Sequence, residues 1–252
     1  MNLVARRVLP PVVLGVVALV IWQATVTVLA IPELVLPSPS AILAETLAYL
    51  PVLVSAALVT GWNALVGLVI GSVLGIALAL VAANARVFDE LTVPLVAALA
   101  VIPIVALAPV LYTMFGADLQ SARQVVAGIS VFVPVFLNTL RGLRQTRPVH
   151  RDLMRAYAAT RRQAMRTVTL PTARPFIFTG LRIASSLSVI AALVAEYFGG
   201  PRGGLGTFIT ASVAGSDYAR AWSYVLASIV LGLIFYLAAL AVETLALRRR
   251  PA

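Results

Sequence analysis

The chain of 252 residues has no cysteine, no lysine and a single histidine, His150. Without cysteine it can form neither a disulfide nor a thiolate metal site, and one histidine cannot hold a metal ion alone. The absence of lysine also excludes the phosphate-binding loop G-x-x-x-x-G-K-[ST]. We therefore expect that this chain is not an enzyme, that it hydrolyses no ATP, and that it binds no metal or other cofactor.

Charge is scarce as well, since only 11% of the residues are charged, whereas soluble domains have about 25%. Hydrophobic residues make up 61% of the chain, and the mean hydropathy is +1.01. One bilayer crossing needs about 20 apolar residues. The composition therefore predicts an all-α integral membrane protein with about six transmembrane helices, folded as a single domain over residues 1–252.

Six apolar runs are long enough to cross a bilayer: residues 9–31, 52–83, 91–115, 125–140, 176–198 and 221–247. A proline-rich loop at residues 36–40 and a short interfacial helix at residues 41–50 follow the first run. The polar segments 84–90 and 116–124 are interpreted as a turn and a loop. Gly61, Gly67, Gly71 and Gly75 recur at helical spacing, which predicts close packing of the second span or reflects only the frequency of glycine in membrane helices.

The formal net charge of +10 comes entirely from arginine, and its distribution is a topology signal. Nine arginines lie between residues 141 and 174, and three more occupy positions 248–250. Loops rich in basic residues stay in the cytoplasm. We therefore predict a multi-pass protein of the cell membrane, with both termini and the arginine-rich loop cytoplasmic. In a protein embedded in the lipid bilayer, this basic charge is first of all a topology signal, so no nucleic acid partner is expected.

Several residues in or near the spans are candidates for a transport pathway. Pro103 and Pro109 in the third span can kink a helix, either to line a pathway or for structural reasons. A carboxylate such as Glu196 costs about 2.5–3.5 kcal/mol at mid-bilayer, so it is expected to face the bundle interior or the water boundary. Glu196 and its neighbour Tyr197 are therefore possible pathway residues. The alternatives are an interfacial position or a hydrogen bond between helices.

Two arginines lie on the predicted outer side, against the topology bias. Arg202 and Arg220 are candidates to attract an anionic substrate or a partner protein, whereas an ion pair with Asp217 is the plain structural alternative. An ion-coupled secondary transporter is the main competing class. It would need intramembrane acids or histidines as relays, and Glu196 is almost the only such residue in the predicted spans.

The arginine-rich loop itself has an amphipathic pattern. Residues 152–169 contain neither glycine nor proline, and Leu153, Met154, Tyr157 and Ala158 recur at helical spacing. Met165 and Val168 repeat the pattern. We predict two short helices with a bend at residues 158–160, presenting an apolar ridge. A surface helix that rests on anionic lipid is the alternative.

The loop resembles the EAA loop of permease subunits in type I, binding-protein-dependent ABC importers, which reads Glu-Ala-Ala, three residues, Gly, nine residues, then Ile-x-Leu-Pro. Asp152, Leu153 and Met154 occupy the Glu-Ala-Ala positions and Ala158 the Gly position. The Ile-x-Leu-Pro positions are occupied by Val168, Leu170 and Pro171. The family's Gly can adopt a positive φ, which Ala does not do freely.

Four further segments resemble the branch of this family that imports nitrate, sulfonates, taurine and pyrimidine vitamin precursors. They are LPSP at residues 36–39, IPIVALAPVLYTMFG at residues 102–116, PTARPFIFTGLRIA at residues 171–184 and AEYFGGPRGGLGTFI at residues 195–209. The resemblance implies a solute-binding protein, periplasmic or lipid-anchored, and a second permease copy as partners.

The resemblance also implies that residues 141–175 form a coupling loop, seated in a cleft of a separate ATP-binding cassette subunit. That partner would bind ATP and Mg. The residues implied in the contact are Asp152, Leu153, Met154, Arg155, Tyr157, Ala158, Ala159, Arg161, Val168, Leu170 and Pro171.

Overall fold

The computed structural model describes residues 3–116, 120–199 and 203–248, and within these ranges every regular element is helical. The elements in chain order are α1 (Leu3–Val28), α2 (Pro39–Ala48), α3 (Leu50–Asn84), α4 (Arg86–Val101), α5 (Ile104–Phe115), α6 (Ser121–Arg144), α7 (Pro148–Ala156), α8 (Arg161–Ala164), a π-helical turn (Met165–Thr169), α9 (Leu170–Tyr197), α10 (Leu205–Ala214) and α11 (Tyr218–Arg248).

Five helical segments are long and apolar enough to cross a membrane: Leu9–Val28, Leu50–Asn84, Ser121–Arg144, Arg161–Tyr197 and Tyr218–Leu247. A sixth crossing is formed if α4 and α5 are taken together, although their axes are bent by 102°. The prediction of an all-α membrane protein with about six spans is therefore confirmed.

The third predicted span differs from expectation because it is broken rather than continuous. Helix α4 ends at Val101, and Pro103 then takes the N-cap position of α5 in extended backbone. The kink expected from proline is thus observed at Pro103, whereas Pro94 and Pro109 lie inside helices. The turn predicted over residues 84–90 is also shorter, because Ala85 alone is non-helical between α3 and α4.

Helix α6 packs between α3 and α9 at the centre of the bundle. A Cβ atom on Gly67 would lie 2.4 Å from the Cβ of Ala127, and one on Gly71 would lie 2.4 Å from the carbonyl oxygen of Gly128. Both glycines therefore let α3 approach α6 more closely than any side chain allows. The predicted packing role of the glycine series is confirmed at these positions.

The arginine-rich loop was predicted to hold two short helices, and only the first of them is separate. Thr160 begins the second one with a capping box, in which its hydroxyl accepts from the N–H of Gln163 while the Gln163 side chain accepts from the N–H of Thr160. From there α8, the π-helical turn and α9 run on without interruption to Tyr197. The fifth span is therefore the continuation of the loop's second helix.

Candidate functional site

One candidate site lies where α3 and α6 end and α9 begins, which we call the α7 end of the bundle. Helix α7 starts with Pro148 at its first helical position, where the missing N–H costs no hydrogen bond. It stops in a Schellman motif, in which the N–H of Ala159 donates to the carbonyl of Met154 and the N–H of Ala158 to that of Arg155, both at 2.9 Å. Ala158 takes the left-handed position with φ of 51°. The turn that glycine makes in the resembling family is thus present here with alanine.

The outward side of α7 carries three apolar side chains spaced four residues apart, which we call the α7 stripe: Val149, Leu153 and Tyr157. Their relative exposures are 63%, 49% and 76%. Met154 instead is half-buried on the inward side of the loop and lines a cavity there together with Met165. The predicted ridge is therefore divided between two faces. Val149 was missed by the sequence analysis, although its position one turn before Leu153 was a signal for it.

The remaining predicted coupling residues differ in exposure. Asp152 and Arg155 form an exposed ion pair of 3.3 Å, and Arg161 is exposed at the start of α8. Ala159 is half-buried under the loop. Three more, Val168, Leu170 and Pro171, are half-buried where the loop joins α9. The α7 stripe thus faces outward, Arg155 and Arg161 also border the cavity on the inward side of the loop, and the later motif positions lie where the loop joins α9.

A second candidate site lies at the opposite end of the bundle, the α10 end, around Glu196. This carboxylate is fully buried near the end of α9. Its Oε2 accepts hydrogen bonds from the Thr60 hydroxyl at 2.7 Å and from the Gly206 N–H at 3.1 Å. The Thr60 hydroxyl in turn accepts from the N–H of Leu205 at 2.9 Å. Glu196 and Thr60 together therefore cap the N-terminus of α10, where a negative charge is favourable.

The guanidinium of Arg123 completes this site. Its Nη1 lies 3.6 Å from Oε1 of Glu196, and both side chains are fully buried. Its Nε donates to the hydroxyl of Tyr112 at 3.4 Å, and that hydroxyl donates to the carbonyl of Ala195 at 3.0 Å. Residues from α3, α5, α6, α9 and α10 therefore meet at one ion pair.

The sequence analysis missed Arg123, because it assigned residues 116–124 to a loop. Helix α6 in fact begins at Ser121. Residues 117–119 lie outside the described ranges. The available signal was an arginine only two residues before the apolar run of the fourth span.

Glycine is required next to Glu196. A Cβ atom on Gly204 would lie 2.2 Å from Cδ of Glu196, and one on Gly206 would lie 2.5 Å from the carbonyl oxygen of Leu193. The glycine-rich segment after α9 therefore lets α10 pack directly on the buried carboxylate.

The four predicted pathway residues occupy different surroundings. Glu196 is enclosed in the network just described, whereas the adjacent Tyr197 is 47% exposed. Pro103 and Pro109 are exposed on α5.

Further ion pairs connect helices in the described part of the chain, among them one between Arg144 of α6 and Asp89 of α4. Arg220 donates through Nε to Glu45 and through Nη1 to Asp217, both at 2.9 Å, and its guanidinium lies 4.0 Å from the ring centroid of Tyr49. The Asp217 pair expected as the structural alternative is thus observed, and Arg202 lies outside the described residues. Between α9 and α11, Arg182 Nη1 lies 3.1 Å from Glu243 Oε2. Glu196 is therefore not the only acid paired within the spans.

The described residues thus form a multi-pass helical membrane bundle with one broken span and an exposed helical loop. The family model described as "binding-protein-dependent transport system inner membrane component" matches residues 67–248. The chain therefore belongs to this family of ABC importer permeases, as the loop motif indicated. Such a permease works with an ATPase and a solute-binding protein.

Individual proteins support the same assignment. The formylaminopyrimidine transport permease protein ThiX of Halalkalibacterium halodurans is 34% identical over 209 residues, which cover 80% of each chain. The riboflavin transport system permease protein RibX of Chloroflexus aurantiacus is 34% identical over 196 residues, 76% of this chain and 71% of its own. A solved amino acid ABC transporter "with histidines" has a TM-score of 0.65 at 17% identity, covering 82% of this chain and 98% of its own. That last likeness concerns the fold alone.

Proposed function

We propose that this chain forms the translocation pathway of an ATP-driven importer for a small heterocyclic or anionic solute. The two relatives above are named for a pyrimidine and for riboflavin, which favours a heterocycle. Nitrate, sulfonates and taurine are the other solutes of the branch that the sequence resembles. A solute-binding protein delivers the solute, and two copies of the chain enclose the pathway between them.

The observation that carries the proposal is the α7 stripe. Val149, Leu153 and Tyr157 are exposed and do not pack into the apolar bundle. An exposed apolar row on a short helix is the kind of surface that inserts into a partner's groove. We propose that it is the coupling helix, seated in the ATPase subunit, which alone binds ATP and Mg.

The Schellman motif and the capping box support this role mechanically. They hydrogen-bond both sides of the bend at residues 157–160, and α8 continues through the π-helical turn into α9 without a break. A push on α7 is therefore transmitted to a membrane-spanning helix rather than absorbed by a flexible linker. In this arrangement the α7 end and both termini face the cytoplasm.

At the other end of the bundle, we propose that Glu196 positions α10 beside the pathway. Its carboxylate is already occupied by Thr60, Gly206 and Arg123. Tyr197, Pro103 and Pro109 offer exposed surface and are the residues we propose to line the pathway.

The chain contains no cysteine, so a single cysteine gives an unambiguous crosslinking site. We would compare Tyr157→Cys with Val87→Cys, because Val87 is 72% exposed just after the end of α3 but off the stripe. Membranes from the source cells are treated with a short crosslinker, with and without ATP, and the captured proteins are identified by mass spectrometry.

The expected result is that Tyr157→Cys captures an ATPase subunit in a nucleotide-dependent way and that Val87→Cys does not. Capture of lipid or permease copies alone, with transport continuing in ATP-depleted membranes, would contradict the proposal and favour an ion-coupled secondary transporter. The solute class is tested separately, by asking whether a binding protein loaded with a pyrimidine, rather than nitrate or a sulfonate, stimulates the reconstituted ATPase.

A further inference from the structure

A cavity of about 530 Å³ lies beneath the arginine-rich loop, between the loop and the ends of α3 and α6. It is a different surface from the α7 stripe, which faces the opposite side of α7. Met154 and Met165 form an apolar part of its wall. Ala83 and Asn84, at the end of α3, line one side of the cavity. The cavity therefore lies at the end of the bundle where α3 and α6 stop.

Three arginines line this cavity: Arg151 and Arg155 from α7, and Arg161 from α8. The described residues that line it include no carboxylate. Asp152 pairs with Arg155 at 3.3 Å, but both side chains are largely exposed, and ion pairs of that kind contribute little. The cavity therefore has an excess of positive charge that the loop itself does not neutralise.

A neutral polar group points to the same cavity independently of the arginines. Thr146, just after α6, lines the cavity and is only 7% exposed. In the described part of the chain its hydroxyl has no hydrogen-bond partner. Buried hydroxyls nearly always have one, so this oxygen calls for a partner that is not part of the described protein.

We propose that the cavity binds a phosphate group, held by Arg151 and Arg161 from the two arms of the loop and by the Thr146 hydroxyl. Guanidinium groups match phosphate oxygens in pairs, and a threonine hydroxyl donates one further hydrogen bond. Basic pockets between membrane helices bind anionic lipid headgroups in this way. The phosphate belongs either to an anionic phospholipid or to a soluble phosphate.

A bound phosphate would join α7, α8 and the end of α6, which are connected in the chain only through loop segments. It would thereby hold the arginine-rich loop against the bundle. This inference does not depend on the identity of the transported solute or on the ATPase contact.

The test uses the purified full-length chain and two matched double variants. Arg151→Gln with Arg161→Gln removes two cavity arginines, whereas Arg162→Gln with Arg166→Gln removes two exposed arginines from the same loop that do not line the cavity. Thr146→Val is the third variant, because it removes only the hydroxyl. Native mass spectrometry counts phosphatidylglycerol molecules retained against phosphatidylcholine, and a thermal shift assay titrates inorganic phosphate.

We expect the wild-type chain to retain phosphatidylglycerol or to be stabilised by phosphate. One arginine near an anionic group changes affinity by roughly fivefold. Because two fivefold losses multiply, the variant lacking both cavity arginines should bind roughly 25-fold more weakly, and clearly more weakly than the control pair. Thr146→Val should weaken binding without any change of charge. Retained lipid with no response to phosphate identifies a headgroup, and a response to phosphate identifies a soluble anion.

Equal losses in the two double variants would show general surface attraction and overturn the proposal. So would unchanged binding in Thr146→Val, or a wild-type chain that binds neither probe.

Discussion

The two ends of the bundle each carry an ion pair of the same chemical type, with opposite consequences. At the α10 end, Arg123 and Glu196 are fully buried, and their network brings together residues from five helices. At the α7 end, Asp152 and Arg155 are 68% and 81% exposed and belong to one helix. A buried charge is tolerated only when polar groups surround it, whereas an exposed ion pair contributes little to stability and can be broken at little cost. Burial therefore separates the residues that hold the bundle together from those available for docking.

Removing the buried carboxylate should have the largest effect. Glu196→Ala removes the cap of α10 and an anion from beside a buried guanidinium, so we expect the free energy of unfolding to fall by about 3–5 kcal/mol. Denaturant unfolding in micelles measures the change. Glu90→Ala, which breaks the exposed Arg86 pair, is the control and should cost less than about 1 kcal/mol. Equal losses would contradict the distinction between the two ends.

Close packing in the middle of the bundle gives the next largest effect. In Gly67→Ala the new methyl group meets Ala127 at 2.4 Å, and overpacking of this kind typically costs about 1–3 kcal/mol. Gly232 on α11 has open space where a Cβ would be placed, so Gly232→Ala should be neutral or slightly stabilising. The thermal unfolding midpoints of both variants, measured in the same detergent, are compared. A neutral Gly67→Ala would mean that α3 and α6 are further apart than described.

At the α7 end, introducing a glycine should stabilise the protein, because Ala158 adopts a left-handed conformation there. A left-handed conformation costs an alanine about 1–2 kcal/mol, and glycine avoids this cost. Part of the advantage is lost, because glycine has more conformational freedom in the unfolded state. Ala158→Gly should therefore stabilise the loop by about 0.5–1 kcal/mol.

The matched control is Ala156→Gly, which places glycine in the last helical residue of α7 and should destabilise by up to about 1 kcal/mol. Hydrogen exchange of the amides of residues 157–159 reads both effects locally. Slower exchange is expected for the first variant and faster exchange for the second. The same sign for both would rule out the positive φ at Ala158.

The smallest change in stability is expected on the α7 stripe. Leu153→Ser replaces a half-exposed side chain, so the free energy of unfolding should move by no more than about 0.5 kcal/mol. Copurification of the ATPase should nevertheless be lost, since the stripe is proposed to fill its groove. Met154→Ser is the neighbouring control, because Met154 points to the cavity instead. If Leu153→Ser unfolds the chain, the stripe belongs to the bundle and not to a partner surface.

Much of this arrangement could be predicted from local patterns in the chain. The apolar runs identified the spans because a bilayer crossing depends on length and hydropathy, both of which are local. The pattern of Leu153 and Tyr157 indicated a helix, and the spacing from Asp152 to Pro171 identified the family. The pattern did not show that Leu153 faces outward and Met154 inward. Which side of a short helix faces the bundle is decided only when the helix packs against it.

The sequence by itself determined that the protein is a helical membrane permease with a structured arginine-rich loop. Only the tertiary structure decided which charges are buried together. Thr60, Arg123 and Glu196 are 136 residues apart at the extremes, and their meeting depends on how α3, α6 and α9 pack. The unpartnered hydroxyl of Thr146 emerges in the same way. Burial and hydrogen-bond satisfaction are properties of packed neighbours, and no local pattern specifies them.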